Sequence, residues 1–128
     1  MKLVFATHND NKLKEVRELL SKSFEILSLN DIGFKDEIEE NKNTIKENSI
    51  EKAKIVKLKT GLDCFADDTG LEVEILNGAP GVFSKRFAGV NASSDDNIDK
   101  LLSLLKNKSN INAQFKTVVS LNLNGKMK

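Results

Sequence analysis

The chain has 128 residues, 39% hydrophobic and 30% charged, with a formal net charge of +1 at pH 7. That length suits one globular domain able to bury a core, and the near-neutral balance excludes a global electrostatic pull toward nucleic acid or an anionic membrane. Its single cysteine, Cys64, excludes an internal disulfide, and no apolar run approaches the length of a membrane span.

Leu3 to Ala6 is a short apolar run that predicts a buried strand. Met1 to Ala6 is too short for a signal peptide and passes straight into polar residues. With the lone cysteine, this predicts a cytoplasmic protein. Thr7 to Asn11 is a polar loop. Lys12 to Leu20 carries Leu13, Val16, Leu19 and Leu20 at helical spacing. Phe24, Ile26 and Ser28 alternate as a second strand. Asn30 to Asn43 is acidic and irregular, with Gly33 as punctuation. Thr44-Ile45-Lys46-Glu47 has the form of a capping box. It opens a helix with Ile45, Ser49, Ala53 and Val56 on one face, stopped at Gly61. Leu62 to Ala66 predicts a third strand that ends at Asp67 and Asp68; Cys64 within it reads as a small core residue.

Leu71, Val73 and Ile75 alternate with Glu72 and Glu74, the pattern of a half-solvated strand. Asn77 to Gly81 is a turn holding the only proline. Ser93 or Ser94 caps a helix through Asn107, with Ile98, Leu101, Leu102 and Leu105 inward. Ala113 to Leu123 predicts a long strand with Phe115, Thr117, Val119, Leu121 and Leu123 on one face. Asn124-Gly125 is a strong hairpin signal, yet only three residues follow it. The expectation is a hairpin without a second arm, in a chain that ends early: a fragment, a truncation, or a protomer that pairs with another chain. The order β-α-β-α-β-β-α-β predicts a single α/β domain over residues 1–128, built on a mixed sheet flanked by helices.

Chemistry concentrates in Phe65-Ala66-Asp67-Asp68-Thr69-Gly70-Leu71. Inside a strand, paired acids would send one carboxylate into a core. At a strand end both can reach solvent, a cation or a substrate. The same residues also suit a solvated turn. Thr7-His8-Asn9-Asp10-Asn11-Lys12 lies where ligands bind in open α/β sheets, beyond a strand's carboxyl end. A helix N-terminus there offers free N–H groups to phosphate. Lys12 adds a point charge that runs against the helix dipole unless an anion arrives. A plain capped helix, with Asn9 or Asn11 as N-cap, is the alternative. The loop lacks P-loop spacing. His8, the only histidine, reads as a polar contact, and with Cys64 it cannot complete a zinc site. Glu37, Glu39 and Glu40 form a solvated run, one of which could join Asp68 in holding Mg²⁺. Lys52 and Lys54 could reach phosphate or face water; only Lys52 lies beside the inward stripe.

Together these segments resemble the inosine/xanthosine triphosphate pyrophosphatase family. Phe5 to Lys12 is similar to its Thr-x-Asn-x-x-Lys phosphate loop, and Glu47 to Ala53 to its Glu-Asn-Ala-x-x-Lys-Ala helix. Ala66 to Val73 is similar to its Ala-Asp-Asp-Ser-Gly-Leu segment, and Asn77 to Gly89 resembles its most recognisable block. The resemblance implies a nucleotide-binding cleft at strand ends. It implies Mg²⁺-dependent hydrolysis of ITP, dITP or XTP to the monophosphate and pyrophosphate, by a homodimer. Carried over, Asp68 is proton acceptor and metal ligand, and Glu40 the second metal ligand, although Asn41-Lys42 replaces the usual Thr-Gly after it. Thr7, His8, Asn9, Asp10, Asn11, Lys12, Lys52 and Thr69 would bind substrate; Ser84 and Arg86 lie in the matching block. His8 replaces the common glycine. The family's base-contacting Gly-Tyr/Trp-Asp-Pro and Ser-His-Arg segments have no match here, which leaves a non-catalytic nucleotide-binding or assembly fragment as the alternative. A Maf-type pyrophosphatase is disfavoured by the Gly-Ala-Pro-Gly block.

Overall fold

The computed structural model describes residues 1–128. Five strands form one sheet in the order β2-β1-β3-β4-β5. They are β1 (Lys2–Phe5), β2 (Glu25–Leu27), β3 (Cys64–Val73), β4 (Ala113–Leu123) and β5 (Lys126–Met127), with helices α1 (Asp10–Leu20), α2 (Ile45–Thr60) and α3 (Ser94–Leu105). β1 runs parallel to β2 and to β3, and β4 antiparallel to β5, so the predicted mixed α/β sheet is present. The chain divides into two compact units.

The first unit comprises residues 1–42, 46–68 and 118–128. The two-residue period of its strands sorts side chains onto two faces. Val4, Ala6, Cys64 and Ala66 join Ala53 and Val56 of α2 in one cluster with Leu29 and Phe34. Leu3, Phe5, Ile26 and Phe65 form the other, against Leu13, Val16 and Leu20 of α1. The Phe5 and Phe65 rings stack there, 4.6 Å between centroids. Leu19, expected in this stripe, is 81% exposed. The α2 stripe of Ser49, Ala53 and Val56 is buried as expected, and Gly61 ends the helix at φ +72°. Its N–H returns to the Lys57 carbonyl at 2.8 Å.

Two expectations at the chain's end are corrected. The hairpin has its second arm: Leu123 pairs with Lys126 and Asn122 with Met127, and Lys128 exchanges backbone hydrogen bonds with Leu121 at 2.7 and 2.8 Å. Asn124 and Gly125 both take positive φ, as a two-residue turn requires. Three residues therefore suffice, and Met127 packs on the α2-side core. On β4 the expected apolar face is partial. Leu121 and Leu123 pack, Val119 is 59% exposed, and the buried positions are Ser120 and Asn122 on the opposite face.

The second unit comprises residues 43–45 and 69–117. Ser93 caps α3 in a reciprocal capping box with Asp96. The helix stops at Leu105, short of Asn107, and buries no residue. Ile98 and Leu102 face outward, against expectation. Polar contacts hold it instead. The Asn97 side chain accepts from the Ala88 N–H and donates to the Lys85 carbonyl, both at 2.9 Å, and Lys100 donates to the Phe87 carbonyl while standing over that ring. Phe115 on β4 is likewise exposed.

The two short strands expected on either side of the acids are one strand, Cys64–Val73, and Ile75 lies in a single 3₁₀ turn beyond it. Gly70 explains the continuity. A glycine inside a strand marks a close backbone approach as often as a turn. Here a Cβ would collide with the Gly81 carbonyl oxygen and lie 2.7 Å from Ile45 Cδ1. Ser84 secures the approach, accepting from the Leu71 N–H at 3.0 Å and donating to the Gly81 carbonyl at 2.7 Å. Gly70→Ala should therefore destabilise the protein by about 1–3 kcal/mol in urea unfolding, since the obstructing atom is backbone. An unchanged midpoint would show that the strand passes Gly81 less closely.

Candidate active site

β1 ends at Phe5, opposite Phe65, and β3 continues past it into Asp67 and Asp68. The expectation that the acids sit at a strand end is corrected: they lie mid-strand and both are buried. Alternation sends them to opposite faces. Asp67 follows Phe65 toward α1, and Asp68 follows Ala66 toward α2.

On the α2 face, Asp68 meets the Glu40 carboxylate, with Lys52 and Asn48 beside it. Burial is the main cause that pushes the Asp68 carboxyl up to about 6; the Glu40 charge and a hydrogen bond that the protonated Asp68 carboxyl donates to Glu40 add to it, and Lys52 and Asn48 oppose it. Lys52, itself buried, donates from Nζ to Glu40 Oε1 at 3.2 Å. Asn48, one turn earlier on α2, accepts the Lys42 N–H at 2.9 Å and so ties down the loop that carries Glu40. Glu37, Glu39 and Lys54 face water.

On the α1 face, Lys12 Nζ donates to Asp67 Oδ2 at 2.8 Å. The loop before it is knotted by its own side chains. Thr7 Oγ1 accepts the Asn9 N–H and Asn9 Oδ1 accepts the Lys12 N–H, both at 3.1 Å, so Asn9 is the N-cap. Asp10 and Asn11 begin α1 in the open, and His8 Nε2 lies 2.9 Å from the Asp36 carbonyl oxygen on the surface. Thr69 belongs to the second unit, where its hydroxyl meets that of Thr117 at 2.8 Å. Arg86 stacks over Phe83. Cys64 is a core residue: burial pushes its thiol up to about 11, and it donates to the Ala53 carbonyl at 3.2 Å.

The structure thus brings Glu40, Lys52 and Asp68 together, and separately pairs Lys12 with Asp67. Read from the sequence, Asp67 stands out beside Asp68 without a site role, and Asn48 has none. Asn48 stands four residues before Lys52, on the same helix face, and strand alternation through the acids would have separated Asp67 from Asp68.

No group of three acidic, histidine or cysteine side chains gathers to hold a metal. Asp68 and Glu40 alone remain a fitting donor set for Mg²⁺, which commonly takes one or two carboxylates and completes its shell with water and phosphate oxygens. Two carboxylates close enough to raise one of them suit a divalent cation between them.

The Asp68 shift fixes the sign of a pH effect. Its folded value lies above the ordinary 3.8, so between about pH 4 and 6 Asp68 holds more of its proton in the native state than in the unfolded chain, and its contribution to stability falls as pH rises. Asp31, Asp63 and Asp96 are lowered and titrate below that window. In metal-free urea titrations, Asp68→Asn should exceed the parent in stability near pH 8 and lose that advantage near pH 4. A difference independent of pH would refute the assignment.

The chain is similar to proteins of one family over nearly its whole length. A protein of Flavobacterium psychrophilum, named dITP/XTP pyrophosphatase, is 58% identical over 126 residues, covering 98% of this chain and 66% of the relative. One of Bacillus subtilis with the same name is 40% identical over 125 residues, covering 95% of this chain and 63% of the relative. The Ham1 protein of Staphylococcus aureus superposes with a TM-score of 0.87 at 32% identity, over 100% of this chain and 67% of that one. A HAM1 protein from Coxiella burnetii gives 0.86 at 40% identity, over 94% and 62%. The chain spans 66% of the length of the first of these relatives. No helix is long and apolar enough to cross a membrane. Residues 3–128 match the Ham1 family throughout, and the chain belongs to that family.

Proposed function

We propose that the chain carries the phosphate- and metal-handling part of a nucleoside triphosphate pyrophosphatase. Its substrates would be non-standard purine nucleotides (ITP, dITP and XTP), hydrolysed to the monophosphate and pyrophosphate. The observation that carries this reading is Asp68: a buried strand carboxyl raised to about 6, facing Glu40, with Lys52 3.2 Å from Glu40. The names of the relatives, dITP/XTP pyrophosphatase, support the substrate class. One match to the Ham1 family spans both compact units, which supports reading them as one pyrophosphatase domain.

Water attacks the α-phosphorus, the bond to the bridging oxygen of the β-phosphate breaks, and pyrophosphate departs. Asp68 takes the proton of the attacking water. The metal-free carboxyl is raised to about 6; a cation held beside it would lower that value, so the role of base requires that the surrounding charges leave Asp68 basic enough. Lys12 and Lys52 stabilise charge gathering on the departing pyrophosphate. Asp68 and Glu40 are the residues that would hold Mg²⁺, which supplies charge neutralisation and alignment when bound. Thr7, Asn9 and the first turn of α1 frame the triphosphate. His8, Asp10, Asn11 and Thr69 complete the proposed substrate-binding set, and a homodimer in the cytoplasm is the proposed working form.

Incubation of the 128-residue chain with ITP and Mg²⁺ should release inosine monophosphate and pyrophosphate in equal amounts. Asp68→Asn should lower that rate by about 10²–10⁴-fold, the usual contribution of a positioned base. Release of orthophosphate, or turnover unchanged in Asp68→Asn, would overturn the reading. ITP binding without release of either product would identify a nucleotide-binding piece of the site instead.

A further inference from the structure

Nothing in the proposed chemistry uses Asp67, yet its carboxylate is buried, with side-chain exposure of 12%. One oxygen, Oδ2, accepts from Lys12 Nζ at 2.8 Å; the other, Oδ1, is buried with no hydrogen-bond partner. Leaving a buried carboxylate half satisfied is costly, and removing its counter-ion would leave the charge uncompensated, at several times the cost of a surface pair. The Lys12 ammonium is therefore held on Asp67 rather than free to swing. An ammonium has three N–H donors. One is committed to Asp67, and the side chain retains 27% exposure through which the other two can reach a ligand. Lys12 is fixed at its base as well, where its backbone N–H is bound by the N-cap Asn9.

We propose that Asp67 is a positioning residue: it fixes the Lys12 ammonium so that its two remaining donors point at the phosphates. This rests on the pyrophosphatase reading. A long lysine chain that must order itself at each turnover loses conformational entropy at the transition state. Asp67 incurs that loss once, on folding. The role differs from that of Asp68, which faces Glu40 on the other side of the strand.

The test is Asp67→Asn, which keeps the shape and removes the charge. Removing a negative charge near phosphate favours ground-state binding of ITP, whereas loss of Lys12 order weakens the transition state alone. Asp67→Asn should therefore lower kcat about tenfold or more with KM unchanged or reduced. In a Lys12→Met background it should lower kcat no further. A merely structural role would lower the active fraction equally in both backgrounds. An additive loss, or an unchanged kcat, would overturn the proposal. A second measurement needs no turnover. The ¹⁵N signal of the Lys12 ammonium should report restricted motion in the parent and free rotation in Asp67→Asn. Equal mobility in the two proteins would overturn the proposal even if ITP is hydrolysed. Loss of order in a chain that hydrolyses nothing would support the Asp67–Lys12 positioning while rejecting the pyrophosphatase reading.

Discussion

Two adjacent carboxylates inside one strand impose the constraint on which the first unit depends. Period-two geometry forbids Asp67 and Asp68 from sharing a face, and each is taken out of water. An isolated buried charge is not tolerated. Each face must therefore present compensation, and each does so from its own helix: Lys12 from α1 toward Asp67, and Lys52 with Asn48 from α2 toward Asp68 and Glu40. The apolar clusters beneath, with Phe5 and Phe65 on one side and Ala66 with Ala53 on the other, set the distance at which those lysines arrive. Polar site and core are thus one piece of packing, ordered along the same strand.

That constraint also explains why the α2 side of the sheet is polar toward β4. Ser49 on α2 and Ser120 on β4 share a buried hydroxyl contact at 2.6 Å, and Asn122 is buried on the same face. Small hydroxyls let α2 approach the sheet closely, which brings Asn48 and Lys52, its neighbours in the helix, down to the level of Asp68. Buried polar groups demand defined partners. A helix seated on such a contact is held in register more tightly than one resting on aliphatic side chains alone.

The parts legible in the sequence are those where local pattern and tertiary environment agree. The α2 stripe follows from apolar periodicity, and the Asn9 cap, the Ser93 cap and the Gly61 stop follow from backbone hydrogen-bonding needs that a short segment satisfies by itself. The parts that misled are those where a distant group decides. Gly70 reads as a turn residue, and only the Gly81 carbonyl passing over it reveals a strand. On β4 the apolar residues alternate correctly, yet the buried set is Ser120 and Asn122, and what meets Ser120 is a serine on α2. Ile98, Leu102 and Phe115 are apolar at sound spacing and still exposed. At the site, residue identities were readable but pairings were not. Asp68 with Lys52 and Glu40 came from the family pattern; that Asp67 belongs to Lys12, 55 positions away, required the fold.

Neighbouring aspartates on one strand are chemically identical, so any difference in role must come from surroundings. Asp67 is matched at 2.8 Å by a full positive charge. Asp68 faces a second carboxylate, Glu40, to which Lys52 is bonded at 3.2 Å, and its carboxyl is raised above the ordinary range by burial and by that neighbour. The two acids therefore differ in partner: a lysine ammonium for one, a second carboxylate for the other. Under the proposed chemistry, the acid opposite Glu40 is the one suited to take a proton, and the acid beside Lys12 is suited only to hold a charge in place. The assignment follows from which side of the strand each residue faces.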